Sequence, residues 1–248
     1  TAKPFKNLDI EKALCSESVT IDGYLLNKIR LYTLPDTTNQ DIDQPRAEAS
    51  ATAIKELVIA FDAAKDLTND DLTKLADLRF IHNKTETINL CECIQITDLS
   101  PLASCTALTN LNLQECHITD LSPLTSCTAL TNLNLWGCTQ ITDQILSTLP
   151  VLPALTSLDL DGCHQITNLS FLTSCTALTN LSLCGCTQIT NLSPLTSCTA
   201  LTSLDLENCD QITDLSPLAN HPNLRKLIGP DGREVNVTSL SNTQQPGP

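Results

Sequence analysis

Leu108 to Ala129 reads LTNLNLQECHITDLSPLTSCTA, and the chain then says the phrase again. Copies begin at Leu130, Leu155, Leu178 and Leu201, and an earlier one begins near Thr85. Successive starts, read from these numbers, lie 23, 22, 25, 23 and 23 residues apart. A period in the twenties marks a solenoid, in which each copy is one supersecondary unit and stacked neighbours bury its apolar face. Six full copies and a partial seventh, opened by Leu224 and Leu227, fill residues 85–227.

Positions within a copy are counted from its start. Positions 4 and 6 are apolar throughout: Ile88/Leu90, Leu111/Leu113, Leu133/Leu135, Leu158/Leu160, Leu181/Leu183 and Leu204/Leu206. That alternation predicts a short strand with both side chains inward. Position 9 is cysteine in all six copies: Cys93, Cys116, Cys138, Cys163, Cys186 and Cys209. An isoleucine follows, then usually T-D/N-L-S-P-L. Ser100, Ser122, Ser193 and Ser216, each before a proline, are expected as N-caps with Pro at the first helical position. Each copy is thus a strand followed by a short helix or 3₁₀ turn, and the strands stack as a parallel sheet.

The phrase ITDLSPL resembles the repeat of bacterial internalin-type leucine-rich repeat proteins. The C-x-Q-I-T-D form, with Cys at position 9, resembles the cysteine-containing class found in substrate-binding parts of F-box proteins. The resemblance covers residues 85–227. It implies an α/β leucine-rich repeat solenoid, with a curved parallel β-sheet on the concave side and short helices or 3₁₀ turns on the convex side. It also implies that the concave face binds another protein. Two departures stand out: internalins mostly carry Asn where this chain has Cys, and residues 1–84 hold no convincing F-box pattern.

Composition narrows the partner. With 28 acidic and 14 basic side chains the net charge is −14. A phosphate backbone or an anionic membrane would be repelled, and a protein with a basic surface is favoured. Aromatics make up only 3% of the chain, so leucine, isoleucine and cysteine must build the core. No run of 18 apolar residues offers a membrane span, and no secretory apolar region opens the chain. The chain starts at Thr1 and holds no Met.

Outside the repeats, residues 1–84 are expected to be a mostly helical N-terminal capping region. Val19–Ile21 and Leu25–Leu34 suit short strands or helix, and Pro35–Pro45 a polar loop. Arg46–Lys65 reads as a helix, with Ile54, Leu57, Val58 and Phe61 at i, i+3, i+4, i+7. Thr68 is placed to cap a second helix with Leu72, Leu75 and Leu78 on its apolar side. Leu130–Ala154 departs from the other copies, reading QILSTLPVLPA on its convex side. Residues 228–248 are expected to form a C-terminal cap hairpin and a disordered tail.

The chain has 13 cysteines. A second row, Cys105, Cys127, Cys175 and Cys198, precedes successive strands. Stacking at about 4.8 Å would bring neighbouring sulfurs within pairing distance, so an oxidising compartment would scramble them. The odd total also argues against a disulfide framework. Reduced thiols and a cytoplasmic location, bacterial or host, are therefore expected. Cys91/Cys93 and Cys184/Cys186 form C-x-C pairs, and His117 and His164 follow Cys116 and Cys163. Zinc would need wider spacing, and alternate strand residues face opposite ways. No metal or cofactor is expected.

Positions 3, 5 and 7 should line the open sheet face. They are mostly Asn, Ser and Thr, against which Trp136, the single tryptophan, stands out. An exposed tryptophan is a typical interface anchor. The candidate site is Trp136 with Gln114, Glu115, Asn134, Asp159, Asp161, Asp205 and Glu207, an acidic, aromatic-centred surface for a basic peptide or protein. No catalytic triad, phosphate loop or zinc motif is visible, and His82, His117, His164 and His221 scatter, so an enzyme is not expected. The leading function is protein–protein interaction by a monomer. The alternatives are a translocated bacterial effector or adaptor whose N-terminal region engages a host protein such as ubiquitin-ligase machinery, and a surface adhesin.

Overall fold

The computed structural model describes residues 66–77 and 81–240, together with the backbone of three strands nearer the N-terminus. Among the described residues ten strands form one sheet in chain order: β1 (Lys3–Pro4), β2 (Ile29–Thr33), β3 (Glu56–Ile59), β4 (Thr87–Asn89), β5 (Asn110–Asn112), β6 (Asn132–Asn134), β7 (Ser157–Asp159), β8 (Asn180–Ser182), β9 (Ser203–Asp205) and β10 (Lys226–Ile228). β1, β2 and β3 pair antiparallel, and every pairing from β3 to β10 is parallel. Position 4 stays in register along the stack, Ile88 opposite Leu111, then Leu133, Leu158, Leu181, Leu204 and Leu227.

One strand corrects the expected element order. Arg46–Lys65 reads as helix, yet β3 runs through its middle at Glu56–Ile59 and pairs with β2 and β4. The run Leu57-Val58-Ile59 is apolar throughout, with two β-branched residues, which suits a strand flanked by two others. Leu57 and Val58 of that spacing lie in the strand; the remainder of the span lies outside the described residues, as do the expectations for Val19–Ile21, Pro35–Pro45 and Ser241–Pro248. The second helix forms as expected. α1 (Asn69–Asp77) buries Leu72 and Leu75, and Thr68 Oγ1 accepts from the Asp71 N–H at 3.3 Å while Asp71 accepts in return from Thr68 N at 3.0 Å. α1 is tied to the first repeat by Asn69, whose Oδ1 accepts from Thr97 N at 3.0 Å and Asp98 N at 3.2 Å.

The core is a stack of identical thin layers. Its fully buried members among the described residues are leucines, isoleucines and cysteines. Position 1 (Leu108, Leu130, Leu155, Leu178, Leu201) closes each layer behind the strand. The cysteines do what a small, weak donor can do in an apolar turn. From the second repeat on, each position-9 thiol donates to the position-6 carbonyl of the preceding repeat: Cys116 to Leu90 at 3.0 Å, Cys138 to Leu113 at 3.0 Å, Cys163 to Leu135 at 3.3 Å, Cys186 to Leu160 at 3.2 Å and Cys209 to Leu183 at 3.0 Å. That carbonyl already accepts from the backbone of its own position 9, as Leu90 does from Cys93 N. The carbonyl thus accepts two hydrogen bonds, one within its repeat and one from the next. A threonine row at position 2 stitches the layers a second time: Thr109, Thr131, Thr156, Thr179 and Thr202 each donate Oγ1 to the position-2 carbonyl one repeat earlier.

On the other side of each layer are 3₁₀ turns at Ser100–Leu102, Ser122–Ser126, Ser170–Ser174, Ser193–Ser197 and Ser216–Leu218. The serine does not cap them. It is the first residue of the turn, with proline second in four of them and Phe171 in the fifth, and the acceptor sits two residues earlier. Asp98, Asp120, Asn168, Asn191 and Asp214 accept from the serine N–H at 2.8 to 2.9 Å. Proline's missing N–H asks for nothing there, while the serine N–H needs a partner, so the Asx side chain supplies it. The third repeat replaces its turn with α2 (Asp143–Leu146), capped by Thr142. Asp143 reaches forward to the next repeat, accepting from Thr167 N at 2.9 Å and Asn168 N at 3.1 Å.

At the far end the chain turns after β10. Val235 N bonds Leu227 O at 2.7 Å and Gly229 N bonds Arg233 O at 2.8 Å, and α3 (Val237–Leu240) follows. Val235, Val237 and Leu240 pack on the last layer of the core.

Candidate functional site

The open face of the sheet is made by positions 3, 5 and 7. The backbone decides what each position can do. Where a strand ends, the position-7 N–H points away from the ladder and needs an acceptor. Position 5 provides it. Asn89, Asn112, Asn134, Asp159 and Asp205 each accept through Oδ1 from the position-7 N–H at 2.8 to 3.0 Å. Ser182 is too short for this. In that repeat Asp161, from the strand before, accepts from Cys184 N at 2.8 Å and also takes the Ser182 hydroxyl. Asn134, Asp159, Asp161 and Asp205 therefore hold the strand-end turns as well as facing outward.

The next residue, position 8, turns left-handed in every copy: Glu92, Glu115 and Asn208 at φ 57 to 61°, and Gly137, Gly162 and Gly185 at 69 to 71°. Sequence reasoning missed this; the recurrence of glycine just before the cysteine in three copies was the signal. Gly137 is the tightest of them, since a Cβ there would lie 2.9 Å from Glu115 Cγ.

Trp136 is 41% exposed. It stands at the end of β6, with Gln114 and Glu115 beyond β5 on one side and Asp159 and Asp161 on β7 and its following turn on the other. These six-strand-end neighbours, counting Asn134, are brought together on three adjacent strands. Asp205 ends β9, beyond β8, and Glu207 lies in the turn after it, so the two form a separate acidic pair. Gln114, Glu115, Asn134, Asp159, Asp161 and Asp205 are half-buried, and Glu207 is exposed. Among the described residues no lysine or arginine forms an ion pair with Glu115, Asp159, Asp161, Asp205 or Glu207.

Burial pushes the Asp159 carboxyl above the usual carboxylate range; the Asp161 N–H bond opposes this and the neighbouring Asp161 charge adds to it. The half-exposed thiols at position 7 are also pushed up. Burial raises Cys91, then Glu92 and Glu115; burial raises Cys184, then Asp161 and Asp205. Thiolate chemistry is disfavoured on this face. Among the described residues no three His, Cys, Asp or Glu side chains converge to hold a metal ion, and no helix is long and apolar enough to cross a membrane. The arrangement offers hydrogen-bond donors, unpaired carboxylates and one indole, which is chemistry for holding a partner.

The model of the family described as Leucine Rich repeats (2 copies) matches residues 106–151, 153–197 and 176–220. Among solved structures, the chain is similar to an internalin, inlF, from Listeria monocytogenes, with 23% identity and a TM-score of 0.55 over 90% of this chain and 61% of that one. It thus spans less than two thirds of that internalin's length. It is also similar to internalin C2 from Listeria monocytogenes, with 29% identity and a TM-score of 0.50 over 72% of this chain and 82% of that one. A comparison with curated proteins finds no match.

Proposed function

The chain is a leucine-rich repeat solenoid, and on that premise we propose that its open sheet face docks another protein, one with a basic surface, around Trp136. The observation that carries this reading is the exposure of the indole between carboxylates that have no cation of their own. An indole left 41% in water keeps a large apolar surface open to a partner. On an interface it is the residue type most often worth more than 2 kcal/mol, roughly thirtyfold in affinity. Lysine or arginine from the partner would meet Asp159 and Asp161. The test compares wild type with Trp136→Ala in partner capture from lysate, followed by titration of the captured protein. The variant is expected to keep its thermal midpoint and lose at least tenfold in affinity; unchanged affinity refutes the site.

Residues 1–84 act on this reading as a cap, since three of the ten strands continue the sheet there and Asn69 ties α1 to the first repeat. An effector or adaptor would use them as a second binding module. Removing residues 1–84 separates the two: loss of folding marks a cap, while a folded remainder that loses one partner marks a module. We read the protein as a cytoplasmic, non-enzymatic monomer, because the stacked thiols suit a reducing compartment. A surface adhesin, the other reading that fits the internalin likeness, would carry those thiols in an oxidising one.

A further inference from the structure

Beside Trp136 the sheet face dips into a groove of about 320 Å³ that crosses β4 to β7. Its floor holds two rows of side-chain amides. In the position-5 row, Asn112 and Asn134 give their oxygens to the Gln114 and Trp136 N–H groups. Those bonds decide which amide atom is oxygen, and they leave each Nδ2 as a donor with no partner among the described residues. In the position-3 row, Asn132 spends its Nδ2 on Asn110 Oδ1 at 2.6 Å and Thr131 Oγ1 at 3.0 Å. Its own oxygen remains as an acceptor. One row donates, the other accepts, and the donating row ends at Asp159.

Each edge of an extended main chain carries both C=O and N–H groups, supplied by alternate residues. Lying across the strands between the two rows, it would meet donors on one side and an acceptor on the other. Three strand spacings make about 14 Å, room for four or five extended residues. A neutral oligosaccharide also has donors and acceptors. It brings no counter-charge to Asp159 and Asp161, which have no cation among the described residues. The net charge of −14 further favours a cationic visitor. We infer that the groove takes an extended peptide segment of the partner, its main chain over Asn112 and Asn134 and a lysine or arginine against Asp159. This rests on the reading of the sheet face as a docking surface.

The experiment follows the side-chain amide resonances of Asn112 and Asn134 in the intact protein by ¹⁵N NMR. The probes are a capped hexapeptide of serines with two arginines, its glutamate counterpart, and maltohexaose. The arginine peptide is expected to move both amides, and the other two probes neither. Asn134→Asp is the deciding variant. Aspartate holds the same turn at Asp159 and Asp205, so the fold survives, but the donor is lost. The arginine peptide should bind it about fivefold more weakly, despite the added negative charge. Equal or tighter binding means plain charge attraction and overturns the inference. So do amides that stay still, or amides that maltohexaose moves as well. If Trp136→Ala loses the natural partner while the peptide leaves the amides still, docking stands and the groove inference falls. If the peptide behaves as expected while Trp136→Ala binds its partner normally, only the docking reading falls.

Discussion

The two edges of each repeat use the same device in different surroundings. Where the strand ends, an Asn or Asp accepts the N–H two residues on, as Asp159 does from Asp161. Before the 3₁₀ turn, Asp120 and Asp214 do the same for Ser122 and Ser216. The acidity of the two sets moves in opposite directions. Hydrogen bonds from the serine N–H and hydroxyl hold Asp120 and Asp214 below the ordinary carboxylate range. Asp159 is raised, because burial outweighs its single backbone bond. A carboxylate in water gains from each donor, whereas a half-buried one first loses its hydration. The turn edge is therefore electrostatically finished, and the sheet edge still lacks a counter-charge.

That contrast can be broken at the backbone first. Gly137→Ala is expected to cost about 2 kcal/mol, from a left-handed residue with a Cβ pressed on Glu115. Gly162→Ala, which meets only Gly137 at 3.7 Å, should cost about 1 kcal/mol. Equal urea midpoints for the two would remove the close approach from the account. Next in size, Asn134→Ala leaves the Trp136 N–H without its acceptor and should cost about 1 kcal/mol or more. Asp120→Ala, in water, should not move the midpoint measurably. A larger loss from Asp120→Ala would reverse the ranking of the two edges.

The smallest effect is the dependence on pH, and its sign is the point. A raised carboxyl binds protons more readily in the folded chain, so its contribution is greatest at low pH and falls as pH rises from the ordinary range to the raised value. Asp159→Asn should therefore gain stability over wild type as pH rises through that window. For Asp214, the lowered value means stability present above the ordinary range and lost as pH falls below it. Asp214→Asn should lose slightly at neutral pH and match wild type in acid. Urea midpoints from about pH 3 to pH 7 measure both; curves of the same sign would end the comparison. Alkylation read by mass spectrometry gives a last check on the layers. Cys91 and Cys184 are half-exposed and should label slowly in the folded protein because their thiols are pushed up, while the buried position-9 thiols, such as Cys138 pushed up to about 12, should label only on unfolding.

Much of this was legible in the chain itself. A phrase that returns every 22 to 25 residues leaves one way to bury Leu111, Leu133 and Leu158, namely against one another in register. Thiols at position 9 announced a small buried donor, and the lone indole on a face position announced exposure. Less was legible wherever a side chain's duty depends on a neighbour far along the chain. Glu56–Ile59 pairs with strands on both sides, and those contacts override a helix-like spacing. Serine looks like a cap until the Asx two residues before it is seen to hold its N–H.

By itself, then, the sequence determined the layer: its period, its apolar positions and the alternation that sets one side of each strand outward, because these follow from local periodicity and burial. Only the tertiary structure decided how the outward groups are spent. Whether Asn134 is free or fixed, whether Asp161 serves its own strand or the next, and whether Asp159 keeps its charge at ease all depend on what the adjacent repeat places within 3 Å.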